Sequence, residues 1–178
     1  MRREWEPEEL IACWTLVEGD AALVDNKSGP TRLGFALLLK FFELEGRFPR
    51  HVGELPEAAV SYMAQQVRVD VCEFASYDWS GRTIKYHRAQ IREAYGFGEA
   101  TGNDEDHLAA WLSEEVCPVE LSQDRLREAL LARCRAEHIE PPGRWSGYLP
   151  RRAPRSTSDS ARRWSLDFPP TVSPDWNN

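Results

Sequence analysis

A strip of cationic residues at helical spacing is the strongest chemical signal in this sequence. At about one hundred degrees per residue, four cations fall within one third of a helix circumference: Arg82, Lys85, Arg88 and Arg92. Guanidinium and ammonium groups hold phosphates and read base edges, but such a strip alone makes and breaks no bonds. A solvated helix face is the commoner meaning of this pattern, and an anion-binding surface is the functional alternative.

The residues around this strip predict a helix-turn-helix element. A short helix is expected over residues 71–75, then a turn at residues 77–79, then Ser80 as N-cap of a helix from Gly81 to about Tyr95. In that arrangement the second helix enters the major groove with its N-terminal residues leading. The residues expected nearest to double-stranded DNA are Arg82, Thr83, Lys85 and Tyr86.

The chain as a whole predicts an all-α fold, in which a compact multi-helix domain at residues 1–142 precedes an irregular tail at residues 143–178. No convincing alternating strand pattern is present. The most apolar run, residues 33–44, is expected to be the central core helix. One strip of that helix is expected to face water, and it consists of Arg32, Ala36, Lys40, Glu43 and Arg47.

The net charge of −7 and the isoelectric point near 5.2 argue at first sight against a nucleic-acid partner. The charge is unevenly placed, however. Residues 1–26 carry −5 and residues 99–143 carry −7, whereas residues 27–98 carry +2 and residues 144–178 carry +3. No apolar run is long enough to cross a bilayer and no signal peptide opens the chain, so we expect no membrane partner and a cytoplasmic location.

An enzyme is the least supported class, and the sequence predicts no catalytic residue, no metal and no cofactor. The histidines are scattered, with no nucleophile motif, phosphate loop or metal spacing near them. Cys134 and His138 could share a metal, but Cys134 follows Leu130 on one apolar arc and is expected to be a core thiol. Acidic pairs such as Glu8-Glu9 are expected to be helix caps and solvated faces.

Two long motifs resemble the N-terminal region of replicative transposases of the Tn-three family. They are residues 77–92 and residues 26–42, the second closing with Glu45-Gly46-Arg47-Phe48-Pro49. With Trp14-Thr15-Leu16, the resemblance covers roughly residues 5–142. It implies binding to the terminal inverted repeats of a transposon, with family catalysis in a later, three-carboxylate domain that this chain lacks. Secondary candidates for DNA contact are Lys27, Arg32, Arg47, Arg50 and His87.

The sequence departs from that family after Pro141-Pro142-Gly143, where the family continues in basic helices and this chain turns to Trp, Ser, Gly, Pro and Arg. We interpret this as a frameshift in a truncated transposase. The alternative function is a protein-interaction module that pairs with a full-length transposase or another partner. Under the DNA-binding interpretation, the protein is bacterial and associates with the nucleoid when bound.

Overall fold

The structure is a computed structural model that describes residues 5–120 and 122–143. Its α-helices are α1 (Pro7–Trp14), α2 (Glu18–Val24), α3 (Gly29–Glu45), α4 (Glu57–Val67), α5 (Arg82–Tyr95), α6 (Gly102–Trp111) and α7 (Gln123–Ala136). Short 3-10 helices occupy Val52–Glu54 and Val71–Ser76, and a π-helical turn, Leu112–Val116, extends α6. The described strands are β1 (Gly98–Glu99) and β2 (Ile139–Glu140), which pair in parallel. The all-α fold class is confirmed.

The apolar run at residues 33–44 forms most of α3, as predicted. Every residue from Leu33 to Phe42 is buried, because α1, α2, α4 and α5 all pack against this helix. Pro30 lies in its first turn, where a missing N–H costs nothing. Gly46 ends the helix in the left-handed conformation, with φ of 67°, which a side chain disfavours.

The predicted water-facing strip of α3 is wrong at Ala36 and Lys40, and its last member, Arg47, lies beyond the end of the helix with a side chain that is 11% exposed. Ala36 is 0% exposed and Lys40 is 3% exposed. The Lys40 ammonium lies 3.4 Å from a carboxylate oxygen of Asp20 in α2 and 2.5 Å from one of Glu43. Burial is possible because carboxylates from two helices surround the ammonium, which would otherwise be too costly to desolvate.

A second, smaller apolar cluster lies between α6 and α7. It consists of Leu108, Leu112, Leu126, Leu130 and Cys134, so the expected core position of Cys134 is confirmed. Polar contacts join this cluster to the larger one: Gly98 donates its N–H to the His138 carbonyl at 2.8 Å, and Arg135 donates to the Leu44 carbonyl at 2.8 Å. The described region therefore has one large core and one satellite core.

No helix among the described residues is long and apolar enough to cross a membrane. The predicted tail, apart from Gly143, lies outside the described residues, so the proposed frameshift and the boundary at residue 142 stay predictions.

Candidate nucleic-acid interface

The start of α5 is built by the turn that precedes it. Gly81 is the N-cap, one residue after the predicted Ser80, and it makes no side-chain cap. Asp78 organises the turn before the helix, because its Oδ1 accepts hydrogen bonds from the N–H groups of Ser80 and Gly81, each at 2.9 Å. These bonds hold the pKa of Asp78 below its usual range. The carboxylate also complements the positive end of the helix dipole.

Gly81 lies close to the Asp78 side chain. A Cβ built there would collide with the Asp78 carboxylate, so a side chain at position 81 would displace that carboxylate from the turn. The Asp78-Trp79-Ser80-Gly81 sequence therefore fixes where α5 begins.

We divide α5 into a leading segment, residues 82–86, and a trailing segment, residues 87–95. In the leading segment Arg82, Lys85 and Tyr86 are exposed, Tyr86 by 62%, and Thr83 is half-buried beside them. Arg82 and Lys85 make no hydrogen bond or ion pair with any described residue. The Tyr86 hydroxyl accepts a bond from the Gln90 amide at 3.2 Å. The leading segment thus presents two cations and a phenol to solvent.

The trailing segment uses its two arginines inside the domain. Arg88 donates to the Pro49 carbonyl at 3.1 Å, and its guanidinium lies 5.2 Å from the Phe48 ring centroid. Arg92 pairs with a carboxylate oxygen of Glu140 at 2.5 Å and with Glu99 at 3.6 Å. The predicted strip is therefore outward-facing in the leading segment only, because the 46–50 loop and β2 cover its continuation.

His87 lies inside the domain. It is 4% exposed, and its Nδ1 is 2.8 Å from the Tyr77 hydroxyl. Burial, reinforced by the nearby Lys27 ammonium, lowers the pKa of His87 to about 4. The side chain is neutral at pH 7 and does not reach the surface of this conformation.

Two secondary candidates lie near the α2–α3 connection. Lys27 donates to the Leu23 carbonyl at 2.7 Å and lies 3.7 Å from the Phe35 ring centroid, and burial lowers the pKa of Lys27. Arg32 pairs with Asp25 at 3.0 Å. Both cations are held by local partners.

The other two secondary candidates follow α3. Arg47 pairs with Glu54 at 2.6 Å, and its side chain is 11% exposed. Arg50 is exposed, and its backbone N–H lies 3.4 Å from the other carboxylate oxygen of Glu54. Glu54 thus organises this loop, which contacts α5 through Arg88.

The element before the turn is the 3-10 helix Val71–Ser76, six residues long, rather than an α-helix. Asp70 caps it by accepting from the Cys72 N–H at 2.9 Å. The helix-turn-helix assignment stays a prediction.

Sequence reasoning missed two residues that build this site. The sequence places both in the turn at residues 77–79 and assigns them no other role, although Tyr77 is 3% exposed beneath α5 and Asp78 holds the turn before that helix. An Asp side chain often accepts from the backbone N–H two residues later, and this turn signal could have identified Asp78. Nothing in the local pattern indicates that Tyr77 points inward.

Within the described residues, no three histidine, cysteine or carboxylate side chains come close enough to hold a metal ion. The arrangement of the leading segment suits binding of an anionic surface.

Comparison with known proteins supports the transposase resemblance. Residues 1–145 match the family described as a domain of unknown function (DUF4158). A stretch of 86 residues is 29% identical to the transposase for transposon Tn501 of Pseudomonas aeruginosa, and it covers 48% of this chain. The same match covers 9% of that transposase.

Proposed function

This chain belongs to the DUF4158 family and is similar to the N-terminal part of Tn-three family transposases, and we propose that it binds the terminal inverted repeats of a transposon. The observation that carries this proposal is the exposure of Arg82 and Lys85 at the start of α5, with no partner among the described residues. The ligand is double-stranded DNA, and the leading segment is the part that meets it.

The position of these cations favours a polyanionic ligand. A cation in the first turn of a helix costs a few tenths of a kcal/mol, because the helix dipole is positive there. Phosphates brought close to Arg82 and Lys85 would offset that cost, and either side chain could also donate to a guanine edge. Thr83 and Tyr86 lie alongside and could contact bases or phosphates.

The Asp78 carboxylate shapes how phosphate can bind. It already accepts from the N–H groups of Ser80 and Gly81, which would otherwise be available to an anion at this helix end. We therefore assign the DNA contacts to side chains of the leading segment rather than to the backbone of the turn.

In this proposal the described region binds DNA and catalyses no reaction. The acidic residue Asp104, for example, is used in a capping box at the start of α6, where its carboxylate accepts from the Thr101 N–H at 2.9 Å. The protein would act as the recognition part of a transposase, in the bacterial cytoplasm and on the nucleoid when bound.

Fluorescence anisotropy with the full chain tests this proposal. A labelled transposon-end duplex and a scrambled duplex of the same composition are titrated at several salt concentrations. We expect tighter binding to the transposon end, with affinity for both duplexes falling as salt rises. Equal affinity for the two duplexes would exclude end recognition, and no binding at low salt would exclude DNA binding altogether.

A protein-interaction module is the second candidate, favoured by the acidic surface of α6 and the turn after it. Asp106, Glu114 and Glu115 are exposed there, on a satellite core that polar contacts join to the rest. Light scattering of the chain mixed with full-length transposase, without DNA, would detect such a complex. Complex formation together with no DNA binding would favour this candidate.

A further inference from the structure

A buried polar pair connects the turn before α5 to the middle of that helix. The Tyr77 hydroxyl lies 2.8 Å from His87 Nδ1, and the two rings stack with centroids 5.8 Å apart and planes 14° apart. Tyr77 is 3% exposed and His87 is 4% exposed. The hydrogen bond therefore links the two ends of residues 77–87, a stretch that contains the whole leading segment.

Both rings of this pair rest on α3. The Tyr77 ring occupies the space where a Cβ of Gly34 would be, so only glycine allows it to lie so close to the helix. His87 meets the Phe35 ring edge-on, with centroids 5.0 Å apart. Trp79 also meets the Tyr77 ring edge-on, with centroids 5.0 Å apart. The two hydrogen-bonded side chains are thus held among packed rings.

The protonation states show that both partners of this bond are uncharged at neutral pH. Burial raises the pKa of Tyr77 far above its usual value, so the hydroxyl keeps its proton. Burial lowers the pKa of His87 to about 4, so its imidazole is neutral and can accept. The hydrogen bond therefore joins a neutral phenol and a neutral imidazole at neutral pH. Losing either partner would leave a buried polar group unsatisfied.

We propose that Tyr77 and His87 form a positioning pair that fixes the orientation of the leading segment of α5 and, with it, Arg82 and Lys85. The inference rests on the proposed DNA-binding function. Base recognition requires a fixed angle between helix and groove, whereas phosphate attraction tolerates displacement. The pair should accordingly affect discrimination between duplexes more than it affects non-specific binding.

Amide hydrogen exchange of the full chain tests the positioning role without DNA. Tyr77→Phe removes one hydroxyl and keeps the ring, and Val60→Ala is the control, because Val60 is a buried core residue of α4. In Tyr77→Phe we expect amides of residues 86–89 to exchange about tenfold faster relative to those of α3. In Val60→Ala both groups should change alike. Unchanged relative exchange in Tyr77→Phe would overturn the proposal.

Anisotropy with the two duplexes then tests the consequence for recognition. Tyr77→Phe should lose about tenfold in affinity for the transposon end and keep its affinity for the scrambled duplex. An equal loss on both duplexes would contradict positioning. If the wild-type chain does not distinguish the duplexes, the proposed function fails, while the exchange result still decides whether the pair orients α5.

A double variant separates orientation from simple packing. Tyr77→Phe with His87→Leu replaces both polar atoms by apolar groups of similar volume, which can restore stability. We expect its melting temperature to recover towards wild type while exchange of residues 86–89 stays fast. Recovery of both quantities would show that the pair acts through packing alone and would refute its positioning role.

Discussion

In the leading segment of α5, Arg82 and Lys85 are exposed and contact no described partner, whereas in the trailing segment Arg88 and Arg92 are held by a carbonyl and two carboxylates. The four cations share one helix and one spacing. The difference comes from their neighbours, because the trailing segment is flanked by the 46–50 loop and by β2. The cations of a single helix strip can therefore be available to a ligand at one end of the helix and stabilise the fold at the other end.

The exposed face of α5 follows the same division. Beyond Tyr86 this face continues through Ala89, which is small and uncharged, and then Glu93, which is acidic. The surface charge of the helix thus changes sign along its length. A DNA backbone would be attracted to the leading segment and repelled near Glu93, which suits a helix that meets DNA with its N-terminal end first.

The largest expected effect on folding lies in the trailing segment. Arg92→Ala leaves Glu140, whose side chain is 17% exposed, without its ion-pair partner. We expect the free energy of unfolding to fall by about 2–4 kcal/mol, because a largely buried charge is left uncompensated. Urea denaturation measures this loss. A change below 0.5 kcal/mol would mean that Arg92 is as dispensable to the fold as an exposed cation.

Acid should weaken the fold through His87, which lies at the boundary between the segments. Its pKa is about 4 in the folded protein and near 6.5 when unfolded, so between these values the unfolded chain binds a proton that the folded chain does not. The free energy of unfolding should fall as the pH drops from about 6.5 to 4, by an amount on the order of 1–3 kcal/mol.

Melting temperatures across this pH range test that effect against His87→Asn. The groups that face His87 are the Tyr77 hydroxyl and the Lys27 ammonium, which stay protonated throughout. The variant should therefore show a shallower pH dependence between pH 7 and 5. Parallel curves would indicate that other groups cause the acid sensitivity.

Arg88→Ala should have a smaller effect. It removes a hydrogen bond to the Pro49 carbonyl and the contact with the Phe48 ring, so we expect a loss of about 1–2 kcal/mol in the free energy of unfolding. Lys85→Ala, three residues earlier and exposed, is the matched control and should be neutral. Equal effects in the two variants would remove the distinction between the segments.

Local pattern was enough to predict much of this molecule. The apolar run of α3, the end of α5 near Tyr95 and the absence of long strands in the described region all follow from short-range periodicity and capping residues. In the structure α5 begins at Arg82, only one residue after the predicted start. Such features depend on residues a few positions apart, which the sequence displays directly.

Long-range partners explain what could not be predicted. Lys40 is buried because Asp20, twenty residues earlier, lies beside it, and Arg92 pairs with Glu140, 48 residues later. The sequence makes His87 a secondary candidate for DNA contact, but the side chain is 4% exposed and is hydrogen-bonded to the buried Tyr77. Charge spacing on one helix cannot reveal a counter-charge supplied by another element.

The most direct measurement is the affinity of Arg82→Ala/Lys85→Ala for a transposon-end duplex, compared with Arg88→Ala, by anisotropy at fixed salt. The leading-segment variant should fold like wild type, within about 0.5 kcal/mol, and bind the end roughly 5- to 150-fold more weakly, since one base contact made by either residue is worth about 1–3 kcal/mol. Arg88→Ala should bind within a few-fold of wild type. An unchanged affinity in the leading-segment variant, or a larger loss in Arg88→Ala, would contradict the assignment of DNA binding to the start of α5.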